Sequence, residues 1–154
     1  MSSALVKLVG DTIVACEQGW SALLGRSAQE IEPDSLDAMK KAFVDCQREA
    51  RGLSAGVKPA AQAALGTFLE AVRSADKSRR VLAGLVAQRE RFTRRSASAA
   101  ARDFEAMEDR LDSFMEDLNT VTKEGNALKV VLKRSEARVQ RPREIKVVID
   151  DEAG

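Results

Sequence analysis

The stretch RERFTRRSASAAARDFEAMEDRLDSFMEDL, Arg89 to Leu118, decides the architecture. Its first part is basic and its second acidic, and the sign flips between Arg102 and Asp103 with no Gly or Pro anywhere in the run. Advancing about 100° per residue from Arg73 places Phe68, Leu82, Val86, Ala100, Phe104, Leu111, Met115 and Leu118 in one broad sector, with Leu85, Met107 and Phe114 inside it. The apolar face thus holds phase from Ala61 to about Val121. SASAAA contains no turn residue, so the pattern predicts one continuous helix from Pro59 to about residue 122, on the order of 90 Å long. A kink or tight antiparallel hairpin at Ser96–Ser98 is the rival, because so long a helix lies far outside the usual range for globular domains.

From Phe104 the apolar positions Phe104, Met107, Leu111, Phe114, Leu118 and Val121 alternate three and four apart, the spacing of a coiled-coil seam. Leu128 and Leu132 continue it beyond Gly125 and Asn126, where KEGN is expected to end the long helix. A short helix over about 127–140 follows, and Pro142 closes the helical region. The segment 142–154, with REIKVVIDDEAG, is rich in β-branched residues and reads as an extended tail.

Upstream, SALVKLVGDTIVACEQGWSALLG predicts an amphipathic helix over about 3–24. Lys7, Asp11 and Gln18 share one side, and Leu5, Val9, Cys16, Trp20 and Leu23 lie elsewhere. It is too interrupted by charge to cross a membrane. SAQE at Ser27–Glu30 has capping-box spacing. A second helix over about 35–53, with Asp34 or Ser35 as N-cap, carries Leu36, Met39, Phe43 and Cys46 on one face, and GLSAGVKP breaks it before Pro59.

Composition agrees with an all-α chain. Of 154 residues, 44% are hydrophobic and 32% charged, aromatics are only 4%, and three Pro and nine Gly leave little punctuation for a β fold. The expectation is a single helical domain over 1–141. It is a bundle built on a long coiled-coil-like helix, or an antiparallel helical hairpin, with two shorter N-terminal helices and an extended C-terminal tail. There is no histidine, which removes the commonest transition-metal ligand and the usual proton shuttle. Cys16 and Cys46 lack the spacing of a zinc site and read as buried thiols. With no phosphate-binding loop, nucleophile elbow or metal triad, no catalytic, metal or cofactor-binding residue is assigned, and the chain is expected to be no enzyme. Two cysteines and no signal peptide fit an intracellular, cytoplasmic setting.

Between Arg73 and Arg102 nine basic residues face two acidic ones, and between Asp103 and Leu118 seven acidic residues face one basic. Arg73, Lys77, Arg80, Arg91, Arg95 and Arg102 lie within roughly 40° of one line on the helical wheel, a basic stripe opposite the apolar face. An apolar face that long cannot stay in water. In an antiparallel dimer centred near Ala100, or a hairpin, each basic arm lies beside an acidic arm. Exposed pairs give only about 0.2–1 kcal/mol, so charge sets polarity and apolar burial supplies affinity.

The expected function is that of a non-enzymatic interaction protein, an oligomerising scaffold or adaptor subunit with protein partners that include a second copy. A membrane surface is the alternative, through the basic stripe or the N-terminal helix; a long helical bundle with a basic face resembles curvature-binding BAR-type modules in style, though the acidic block is repelled by anionic lipid. Nucleic acid comes third, for want of interleaved aromatics. In the tail, Ile145, Val147, Val148 and Ile149 followed by Asp150, Asp151 and Glu152 resembles a SUMO-interacting motif, which implies strand addition to a partner sheet.

Overall fold

The structure, a computed structural model, describes the backbone of residues 2–153 and the side chains of residues 3–134. Four helices, α1 (Ser2–Leu23), α2 (Pro33–Leu53), α3 (Pro59–Phe92) and α4 (Ala97–Ala153), are joined by short connections carrying 3-10 turns at Ala28–Glu30 and Ser54–Gly56. No strand occurs among the described residues. The all-α reading therefore stands.

Helix α2 begins at Pro33, whose missing N–H is no loss at a first helical position. Its N-cap is Glu32, in extended conformation, rather than Asp34 or Ser35. The capping-box spacing of SAQE closes the first 3-10 turn instead, with the Ser27 hydroxyl 3.3 Å from Glu30 Oε1.

The continuous sixty-residue helix is corrected: the chain takes the hairpin. Helix α3 ends at Phe92, and two i→i−3 bonds, Arg94 N–H to Arg91 O and Arg95 N–H to Phe92 O, tighten its last turn. The Thr93 hydroxyl donates to Glu90 O at 2.7 Å. On the far side Ser96 starts α4: its carbonyl accepts from Ala100 N–H at 2.8 Å and its hydroxyl lies 3.4 Å from Ala99 N. Ser and Thr turn a helix without Gly or Pro because their hydroxyls satisfy the orphan groups at helix ends.

A second correction concerns Gly125, expected to end a helix. Helix α4 runs straight through it. Gly125 falls on the three-four seam itself, between Val121 and Leu128, and it is buried. A Cβ there would meet Ile13 Cδ1 at 2.8 Å and Phe68 Cε1 at 3.0 Å. At this glycine side chains of α1 and α3 lie directly against the α4 backbone. Helix α4 continues through Ala153, in place of the separate helix over about 127–140 and the extended tail expected after Pro142. β-branched residues cost a helix only some tenths of a kcal/mol each, so they do not force extension. The side chains of the strand-addition segment, Ile145, Val147, Val148, Ile149, Asp150 and Asp151, lie outside the described residues.

Helix α3 packs on α4, α4 on α1, α1 on α2 and α2 on α3, the closed circuit of a four-helix bundle. Pairings along α3 and α4 run in opposite senses: Phe92 with Phe104, Ser78 with Asp117, Phe68 with Gly125. One core fills the centre. Phe43, Phe68 and Phe114 are fully buried in it with Leu5, Leu36 and Leu118, each worth about 1.5–3 kcal/mol of apolar transfer. Met107, Leu111, Phe114, Leu118 and Val121 are all buried here and Phe104 is half-buried. The seam, which either a second copy or the protein's own helices could cover, is consumed by its own bundle.

Candidate functional site

The seam is buried, and the charged residues singled out in the sequence lie on the surface. Arg73, Lys77 and Arg80 are exposed on α3 and Arg91 at its end; Arg95 stands in the turn and Arg102 on α4. The hairpin thus divides the expected single stripe into a flank on α3 and a tip shared by two helices. Arg73 pairs with Glu70 at 2.9 Å and Arg80 with Asp76 at 3.5 Å, both within α3. Across the turn Arg95 reaches Asp103 at 2.7 Å. Direct pairing between the basic and acidic blocks is thus confined to the turn among the described residues, so the expectation that the hairpin pairs the two arms along their length is not met. On α4, Glu105, Asp109, Asp112 and Glu116 stand exposed at spacings that place them in one row. A basic flank and an acidic row lie on adjacent antiparallel helices.

Four polar side chains that sequence reasoning missed, Arg79, Arg89, Glu108 and Ser78, are spent on the fold. Arg79 is buried, its side chain 4% exposed, and it pairs with Asp76 at 3.0 Å. Its wheel angle, well off the basic stripe and toward the apolar sector, carried that signal. Arg89 donates to Ile31 O at 2.6 Å and Gln29 O at 3.1 Å, and Glu108 accepts from Ala28 N–H at 2.6 Å. These two long-range contacts pin the α1–α2 connection onto the hairpin, and no local pattern announces them. The Ser78 hydroxyl, finally, bonds Asp117 across α3 and α4.

Both cysteines are free and buried where α1 meets α2. Burial pushes the Cys16 thiol up to about 12, with the neighbouring Cys46 and Glu17 adding to it. Cys46 is also raised, chiefly by burial, against an opposing hydrogen bond with Thr12. Such thiols stay protonated and unreactive near neutral pH. A cleft of about 300 Å³ between α1 and α4 is lined by Cys16, Trp20, Leu118 and the polar Glu17, Asn119 and Thr122. Among the described residues no three carboxylates or thiols gather as metal ligands, and no helix is long and apolar enough to cross a membrane. The apolar side of α1, with Leu5, Leu8, Val9, Ile13 and Leu23, faces the core rather than a bilayer.

No family model matches the chain, and neither curated proteins nor solved structures give a match. Fold and surface define it as an all-α four-helix bundle with separated patches of exposed charge.

Proposed function

We propose that the chain is a non-enzymatic interaction module, a helical scaffold or adaptor subunit that recognises protein surfaces through charge. The observation that carries the reading is the separation of exposed charge: Arg73, Lys77 and Arg80 on one helix, Glu105, Asp109, Asp112 and Glu116 on its neighbour. A two-fold dimer would set each basic flank against the acidic row of the other copy, an isologous contact that satisfies both at once. The long helix was first expected to self-associate through its apolar seam. With the seam buried, association falls to the charged faces.

Exposed pairs contribute about 0.2–1 kcal/mol each, so the contact is weak and salt-sensitive, with a dissociation constant of roughly 0.1–1 mM. Sedimentation velocity from micromolar to millimolar protein tests it. The expected result is reversible dimerisation at about 20 mM salt, abolished at about 300 mM, where the screening length is much shorter. A monomer throughout at low salt would remove self-association from the reading.

A further inference from the structure

We infer that the tip of the α3–α4 hairpin is a docking surface for the anionic phosphate headgroups of a lipid bilayer. From Arg91 through Arg102 the chain has four arginines and no acidic residue. Arg91, Arg94, Arg95 and Arg102 are all exposed, and of these four only Arg95 takes an ion pair. Every cation at the tip is arginine, whose planar fork donates two parallel hydrogen bonds to a phosphate where lysine offers a point charge.

The tip is held in shape. Phe92 and Phe104 meet edge to face, centroids 5.9 Å apart, directly beneath the turn. Ala97 and Ala101 lie exposed between the arginines, so nothing bulkier stands between the backbone and an approaching surface. The cations come from the end of one helix, the turn and the start of the next. They therefore ring the end of the bundle rather than track a line along it.

A flat anionic layer met end-on touches all four. Of the acidic row on α4, Glu105 stays within one turn of Arg102, while Asp109 to Glu116, seven or more residues further at about 1.5 Å each, recede beyond a screening length of about 8 Å. A polyanionic strand laid from the tip along α4 is repelled there by the acidic row. The tip also exposes no aromatic for base stacking: Phe92 is buried and Phe104 half-buried. The inference is independent of the charge-paired dimer, which uses the flank.

The test is flotation of the full chain with vesicles of phosphatidylcholine alone and with about one-third phosphatidylserine. Arg94→Gln/Arg102→Gln is compared with a flank control of equal charge loss, Arg73→Gln/Lys77→Gln. Neither Arg94 nor Arg102 has an ion pair to lose, and circular dichroism melts confirm that both variants fold. The wild type is expected to float only with the anionic vesicles and to be released by salt. Each tip arginine removed weakens partitioning about fivefold, so the tip variant loses about 25-fold while the flank variant stays within about threefold of wild type. Equal loss in both variants would overturn the tip as the site, as would no anionic binding at all. Tighter, salt-sensitive binding of a DNA duplex through the same arginines would overturn the lipid assignment in favour of nucleic acid.

Discussion

Replacing Gly125 by alanine should destabilise the protein, whereas the same change at Gly84 should stabilise it. Both sit inside helices, where exchanging glycine for alanine gains about 0.8–1 kcal/mol from backbone entropy. At Gly84 a Cβ meets nothing within 4 Å, so that gain is realised in full. At Gly125 the new carbon would lie 2.8 and 2.9 Å from two carbons of Ile13 and 3.0 Å from Phe68. Ile13 is stiff at its branched carbon, and Phe68 is locked in the core at 1% exposure. Relief must come from moving α1 or α4, and overpacking of this kind costs about 1–3 kcal/mol. Net of the helix gain, Gly125→Ala should lose about 1 kcal/mol and differ from Gly84→Ala by roughly 2 kcal/mol. In a chain of this size that is a difference of about 4–8 °C in melting temperature. Paired urea titrations at unchanged slope give the free energies directly. Equal stabilisation by both substitutions would refute the close approach of α1, α3 and α4 at Gly125.

The buried charge pair should respond unequally to loss of its two members. Asp76→Asn leaves the Arg79 guanidinium buried without a counter-charge and should cost about 3 kcal/mol, while Arg79→Met, which fills similar volume, should fall within about 1 kcal/mol of wild type; urea midpoints compare them. Glu108→Ala strands the N–H of the buried Ala28 and should cost about 1–3 kcal/mol, with Glu108→Gln losing less because it still accepts, both read from thermal melts. The thiols predict an alkaline limit. Folded Cys16 ionises only near 12 while unfolded cysteine does so near 8.5–9, so this contribution is whole below the unfolded value and is lost as pH rises toward the folded one. Between pH 9 and 11 Cys16 should lower stability by up to about 1.4 kcal/mol per pH unit, and Cys16→Ala should flatten that slope. The chain has no tyrosine to add to that slope.

The sequence by itself determined that the protein is helical, where α1, α2 and the start of α3 lie, and which residues form its interior. Those properties follow from the 3.6-residue repeat, from Pro59 at a helix start, and from a composition with few strand formers. It carried more than phase alone conveys. Between Val86 and Ala100 the apolar sector holds Arg89 and Thr93 in place of hydrophobes, and Phe92 falls outside it, which together mark the break. The three-four alternation passes through Gly125 without a missed step, which marks that glycine as a seam position rather than a stop.

Only tertiary structure decided that the seam closes on its own chain. Periodicity records that a face must be covered and is silent on what covers it, since a second copy and a folded-back helix satisfy the same pattern. The contacts that settle the choice, Phe92 on Phe104, Arg89 on Ile31 and Glu108 on Ala28, join residues whose proximity exists only after the chain has turned. The surface was decided in the same way. Folding back at Thr93–Ser96 divided one basic stripe into flank and tip and set an acidic row beside it, because a turn changes which charges are neighbours without changing a single residue.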